Sequence, residues 1–311
     1  MKRIIYLTFI LGLLPHIALS KSWKNRGALI ENDKTRNENW LASNDGDHKK
    51  SIEQVLSTIE ASKRGQILIA RARLKARKDN KSLFDVIKVG DVSITDTTLI
   101  RRFSPSSPGE ITYTTKSTVY IDRSLSMKNA VLDMTHELTH FVFKKPFNPY
   151  EGTFSLSKFM FDTIEAKGGE VDAFLTECEV ALDVFGKSML SGQCQTVLSG
   201  DDFSRRKSIN EFYKLGLHYN NFLSKAENFV LDLSRFPVSS DNATLISSAW
   251  GTPYPLSVIE EYESIMGKVC SNDKKRLTYF DENKGRFPAS APSRISKMIH
   301  DYQRRCKNFS E

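Results

Sequence analysis

Histidine is scarce in this chain, six in 311 residues, and several other signals are missing altogether. No two of the four cysteines stand close enough for a C-x-x-C pair, which argues against a thiolate zinc site. There is no internal repeat, no glycine-rich phosphate loop and no nucleic-acid motif, so nothing points to a solenoid, a nucleotide-binding fold or a nucleic-acid partner. After the N-terminus no apolar run is long enough to cross a bilayer. Nor is the charge strongly of one sign. A formal +8 is spread over the whole chain without a long basic arm, and it leaves only a mild preference for acidic polymers or anionic head groups.

What is present begins with an export signal. Lys2 and Arg3 precede the apolar run Ile4 to Leu14, and Ala18-Leu19-Ser20 supplies the small-residue exit, so cleavage is expected after Ser20. Losing Lys2 and Arg3 takes the formal charge from +8 to +6. The sequence thus divides into a signal peptide over 1–20, a flexible polar leader over 21–50, a core over 51–200, and a mainly helical region over 201–311 within the same domain. The mature chain is expected to be secreted or periplasmic. Its even cysteine count fits an oxidising compartment, and chain order favours the local pairs Cys178 with Cys194 and Cys270 with Cys306.

The chemistry concentrates in Thr135-His136-Glu137-Leu138-Thr139-His140. Residues i and i+4 share a helix face, so His136 and His140 can bind one ion. Glu137, next to the first His, stands where a general base for metal-activated water is needed. The flanking pattern supports a helix: Ser126 or Asn129 can cap it, Ala130, Val131, Met134, Leu138, Phe141 and Val142 share a face, and Pro146 ends it.

Upstream, apolar spacing predicts two helices between Ser51 and Lys78 with a break at Gly65, and the basic crowd Arg71 to Lys78 reads as a solvated helix end. Short strands are expected at 99–103, 110–113 and 117–122, with Ser104 to Gly109 as a turn. A second helical region, 154–187, is interrupted at Gly168-Gly169. A long amphipathic stretch follows over 203–233, with further helices at 256–266 and 295–302.

A strand feeding a helix that carries H-E-x-x-H resembles the zincin metallopeptidases, and the likeness covers about 117–185. It implies an α+β fold: a zincin-like, small mixed β-sheet packed on the H-E-x-x-H helix, followed by a mainly helical C-terminal part. It also implies zinc (Zn2+) as cofactor and a peptide or protein as substrate. The third-His extension found in some zincins is absent, because Phe143 and Pro146 occupy those positions. Glu170, with the small Ala173 three residues later, looks instead like the third ligand of the gluzincin arrangement; Glu165 is the rival.

Where that arrangement has a carboxylate or amide to orient a ligand His, this chain has Phe174, so Asp172 or Glu177 is expected to serve. His218, Tyr213, Tyr219 and Tyr254 are candidates by residue type for an oxyanion donor. The expected function is an exported zinc peptidase in which Glu137 is the general base and 118–122 can pair with an extended substrate. The alternative is a cell-envelope binding protein on the same scaffold that no longer cuts.

Overall fold

The computed structural model describes residues 38–104, 107–152, 154–283 and 291–309. The expected signal peptide, and the leader up to residue 37, lie outside them. The rest of the leader is not a flexible tail. Trp40 is fully buried, its indole donates to the Asp122 carbonyl at 2.9 Å, and its backbone N–H donates to Leu125 at 3.1 Å. One aromatic in a polar stretch makes no period, so patterning could not register it, although burying such a ring contributes on the order of 2–3 kcal/mol.

Helix α1 (His48–Glu60) starts on Asp47, which accepts from Lys49 N and Lys50 N, both at 3.1 Å. Helix α2 (Lys63–Lys78) starts on Ser62, which accepts from Gly65 N at 3.0 Å. The break therefore falls at Ala61-Ser62, just before the Gly65 that was expected to mark it. Gly65 sits in the first turn of α2, where a Cβ would come within 1.9 Å of Ile59 O, so its bare backbone lets the two helices turn tightly.

A short helix α3 (Leu83–Val86) leads into strand β1 (Ile87–Gly90), then β2 (Ile94–Ser104) and β3 (Ser107–Asp122). The sheet order is β1-β3-β2. β1 runs parallel to β3, Ile87 opposite Val119, and β2 runs antiparallel to it, Thr95 opposite Val119 and Arg101 opposite Tyr113. The stretches expected separately at 110–113 and 117–122 are one strand, rich in Thr, Ile and Val and interrupted by no turn residue after Gly109. Because β3 is central, residues 119 and 120 have partners on both sides, while 118 pairs with β2 and 121–122 with β1, so 118–122 is not a free edge that an extended substrate could pair along as expected. The open edges of the sheet belong to β1 and β2, and the one joined to the histidine helix is that of β2.

Helix α4 (Met127–Phe143) follows, capped by Ser126, which accepts from Asn129 N at 3.3 Å. It carries the two histidines and buries Ala130, Val131, Met134, Leu138 and Phe141 as its apolar spacing implied. Helices α5 (Leu156–Ile164) and α6 (Glu170–Phe185) flank Gly168-Gly169. Beyond them come α7 (Gly192–Val197), the two-strand ribbon β4 (Leu198–Ser199) and β5 (Asp202–Phe203), α8 (Arg205–Phe212) and α9 (Tyr219–Asn228). The amphipathic stretch at 203–233 is thus two helices, parted near Gly216, whose φ of +53° ends regular helix there. Helix α10 (Tyr254–Glu282) runs 29 residues, with Pro255 tolerated in its first turn, and α11 (Ala291–Arg305) closes the described chain.

The α+β class is as expected. Two apolar clusters hold it together. One joins Trp40, α1, α2, the sheet and α4; the other joins α5 and most of α6 to the C-terminal helices. Both disulfides have the expected partners, Cys178 with Cys194 and Cys270 with Cys306, as suits an oxidising compartment. No described helix is long and apolar enough to cross a membrane.

Candidate metal centre

His136 and His140 project one turn apart from α4, and Glu170, the first residue of α6, meets them from the other side. Their ligand atoms all lie within 4.8 Å of one another. His136 Nε2 is 3.4 Å from Glu170 Oε2, and His140 Nε2 is 3.4 Å from Oε1. A good N–H···O bond measures about 2.9 Å. Nitrogen and oxygen ligands at about 2.0–2.1 Å from a tetrahedral ion would instead stand about 3.3–3.4 Å apart. The three groups fit a metal ion better than they fit each other.

The remaining ring nitrogens strengthen that fit. His136 Nδ1 is 3.2 Å from Glu177 Oε2, and His140 Nδ1 is 2.8 Å from the Gly168 carbonyl. A carboxylate and a carbonyl only accept, so each Nδ1 holds a proton there, and the Nε2 atoms are the ones whose lone pairs a metal would take in place of protons. Glu177 therefore does what was expected of Glu177 or Asp172. Asp172 acts one step further out: it accepts from Gly168 N at 2.9 Å and from Arg205, holding the peptide whose carbonyl orients His140.

Sequence pattern marks Gly168 only as a helix break. Its φ is +77°, and a Cβ there would come within 2.3 Å of Lys144 N, so no other residue fits without moving the end of α4. Phe174, standing where a polar partner was looked for, packs edge-on to Phe212 with ring centroids 5.8 Å apart.

The electrostatics are those of a cation site. Burial alone would lower the pKa of His136, but Glu170, Glu177 and Glu137 together raise it well above its ordinary value. Burial likewise would raise Glu170, yet His140 and His136 hold it well below the usual carboxylate range. Three carboxylates around two imidazoles favour positive charge at this point. Glu137 is half-buried beside His136. Its backbone carbonyl accepts from Thr95 Oγ1 on β2 at 2.7 Å, a contact between sheet edge and motif that residue patterning could not show. At the far end of α4, Lys75 donates to Phe141 O at 2.5 Å, so one member of the basic crowd on α2 caps this helix.

The rival ligand is elsewhere. Glu165 Oε1 accepts from Tyr213 OH at 2.8 Å and is not among the converging groups. That bond also engages Tyr213, one of the four oxyanion candidates. Tyr254 packs edge-on to Phe212 at 4.8 Å, Tyr219 lies against the C-terminal core, and His218 closes a short turn, Gly216–His218. The described contacts bring none of the four to the metal cluster. Compared with family models, curated proteins and solved structures, the chain matches none.

Proposed function

We propose that the protein is an exported zinc peptidase of the zincin type, with zinc on His136, His140 and Glu170 and with Glu137 as general base. One observation carries this reading: two imidazole Nε2 atoms each stand 3.4 Å from an oxygen of one carboxylate, all within 4.8 Å, while both Nδ1 atoms are already engaged. Nitrogen and oxygen donors in this number suit zinc, and a hydrolytic site has three protein ligands with one position open. A zinc ion held there would acidify water toward a pKa of about 7 and polarise the substrate carbonyl.

The chain's own groups do the rest. Glu137 takes the proton of the attacking water and hands it to the leaving amine. Thr95 ties the Glu137 peptide to β2, fixing where that carboxylate starts from. The open edge of β2 can accept an extended peptide by strand addition, which would lay its backbone past Glu137. Export and cleavage of the segment 1–20 belong to this proposal.

The test is metal analysis together with a peptide-library cleavage assay. The wild type is expected to hold one equivalent of zinc and to cut, and Glu137→Ala to keep the zinc while losing about 10²- to 10⁴-fold in rate. Undiminished cleavage by that variant would remove Glu137 from its role. Zinc without any cleavage by the wild type would instead establish a non-cutting binding protein.

A further inference from the structure

The second concentration of charge lies at the other end of β2. Arg101 projects from the same face of the strand as Thr95, and its Nη1 donates to Asp273 Oδ1 on α10 at 2.7 Å. Both side chains are deeply buried, 11% and 7% exposed. Arg305 Nη2 approaches the other oxygen, Oδ2, at 3.7 Å. The two guanidiniums also share one ring: that of Arg101 lies 3.7 Å from the Tyr150 ring centroid and that of Arg305 lies 5.3 Å from it. Arg276, one turn along α10 from Asp273, stands in the same field. Burial, then the charge of Arg101, lowers its pKa to about 10.

One carboxylate thus serves two buried arginines beside a third, and it does not use up their donors. Nε of Arg101, Nε and Nη1 of Arg305 and the Tyr150 hydroxyl are all buried without a hydrogen bond of good geometry, although Arg101 stands close enough to Tyr150 to offset part of the upward push that burial gives the phenol. These are different atoms from those turned to Asp273. A guanidinium presents five N–H groups in a planar fork, and leaving charged donors dry and unpaired is costly. The natural complement to such forks is a planar or tetrahedral oxyanion.

We infer that Arg101, Arg305 and the Tyr150 hydroxyl form a binding site for an oxyanion, the chemistry shared by a peptide carboxylate and inorganic phosphate. Six residues of strand separate Arg101 from Thr95, about 20 Å at the rise of a β-strand. A peptide extended along β2 from the metal centre would therefore bring a carboxylate to this cluster about six residues from the cleaved bond. That placement rests on the peptidase reading; the anion site itself does not.

The experiment is calorimetric titration of full-length, metal-stripped protein with inorganic phosphate at low ionic strength, so that phosphate cannot report on a bound metal. Saturable binding is expected, weakened about tenfold by Arg305→Met and about threefold by Tyr150→Phe. Arg304→Met, at an exposed neighbour paired with Asp301, should leave it unchanged. Should Arg305→Met not fold, Tyr150→Phe decides, since it removes one oxygen and keeps the ring. No saturation by about 10 mM, or an unaltered affinity in the folded variants, overturns the site. Displacement of phosphate by a hexapeptide acid but not by its C-terminal amide assigns the site to a peptide carboxylate; displacement by neither assigns it to a free phosphate. Both results uphold the site whether or not the protein cuts peptides.

Discussion

The two cores on either side of α6 are built by different means. The first is mostly aliphatic: helices of 13, 16 and 17 residues and a three-stranded sheet close around Val, Ile, Leu and Ala, with Trp40 as its one fully buried aromatic residue and no cystine. The second is a network of rings, in which Phe147, Phe154, Phe159, Tyr262, Phe229 and Phe309 contact one another in series, and both disulfides tie it. Regular helices with clean apolar faces close a core unaided. The second core holds the longest helix, the 29 residues of α10, yet its cystines still add stability by closing the loops 178–194 and 270–306 in the unfolded chain. The candidate metal centre lies on the seam: both histidines come from the helix of the first core, while Glu170 and Glu177 come from α6, which Cys178 fastens to the second. Metal affinity should therefore report how well the halves dock.

The largest expected effect tests whether Trp40 belongs to the first core. Trp40→Ala should cost about 3–5 kcal/mol in urea unfolding; an unmoved midpoint would return residues 38–50 to a tail. Next come the cystines. Replacing either pair with Ser should cost about 3–4 kcal/mol by loop-closure entropy. Their effects on zinc should differ, because loss of Cys178–Cys194 frees the helix that carries Glu170, whereas loss of Cys270–Cys306 leaves that helix tied. Equal zinc affinities in the two variants would break the comparison.

Smaller again is Glu177→Ala, expected to weaken zinc about 10- to 100-fold by releasing the His136 ring. Glu177→Gln, which can still accept from Nδ1, should restore most of it in a competitive chelator titration. The smallest is Glu165→Gln, which should change zinc affinity by less than about twofold, whereas Glu170→Gln removes a ligand outright.

What the sequence showed of this site follows from how far apart its parts lie along the chain. His136, Glu137 and His140 are spaced by one helical turn, so local periodicity revealed them. Glu170 opens a helix with recognisable breaks before it, and the cystines close short loops. Gly168 was visible only as a breaker, since a carbonyl's direction depends on φ and on what it faces. Thr95 meets Glu137 across 42 residues, and Arg101 meets Asp273 across 172. Contacts of that span leave no period in the chain. The lengths of β2 and β3 were missed for a related reason: their pairing with each other stabilises them, and propensity sees one strand at a time.

Cys270 and Cys306 enclose a covalent ring that includes the end of α10 and all of α11, 36 residues from one cystine half to the other. A protease that nicks the backbone once inside that ring releases no fragment. The cut chain would migrate as a single band on a non-reducing gel and separate into two pieces only after a thiol is added. The carboxyl-terminal tail, with Arg305, would stay tethered to the body of the protein after such a cut.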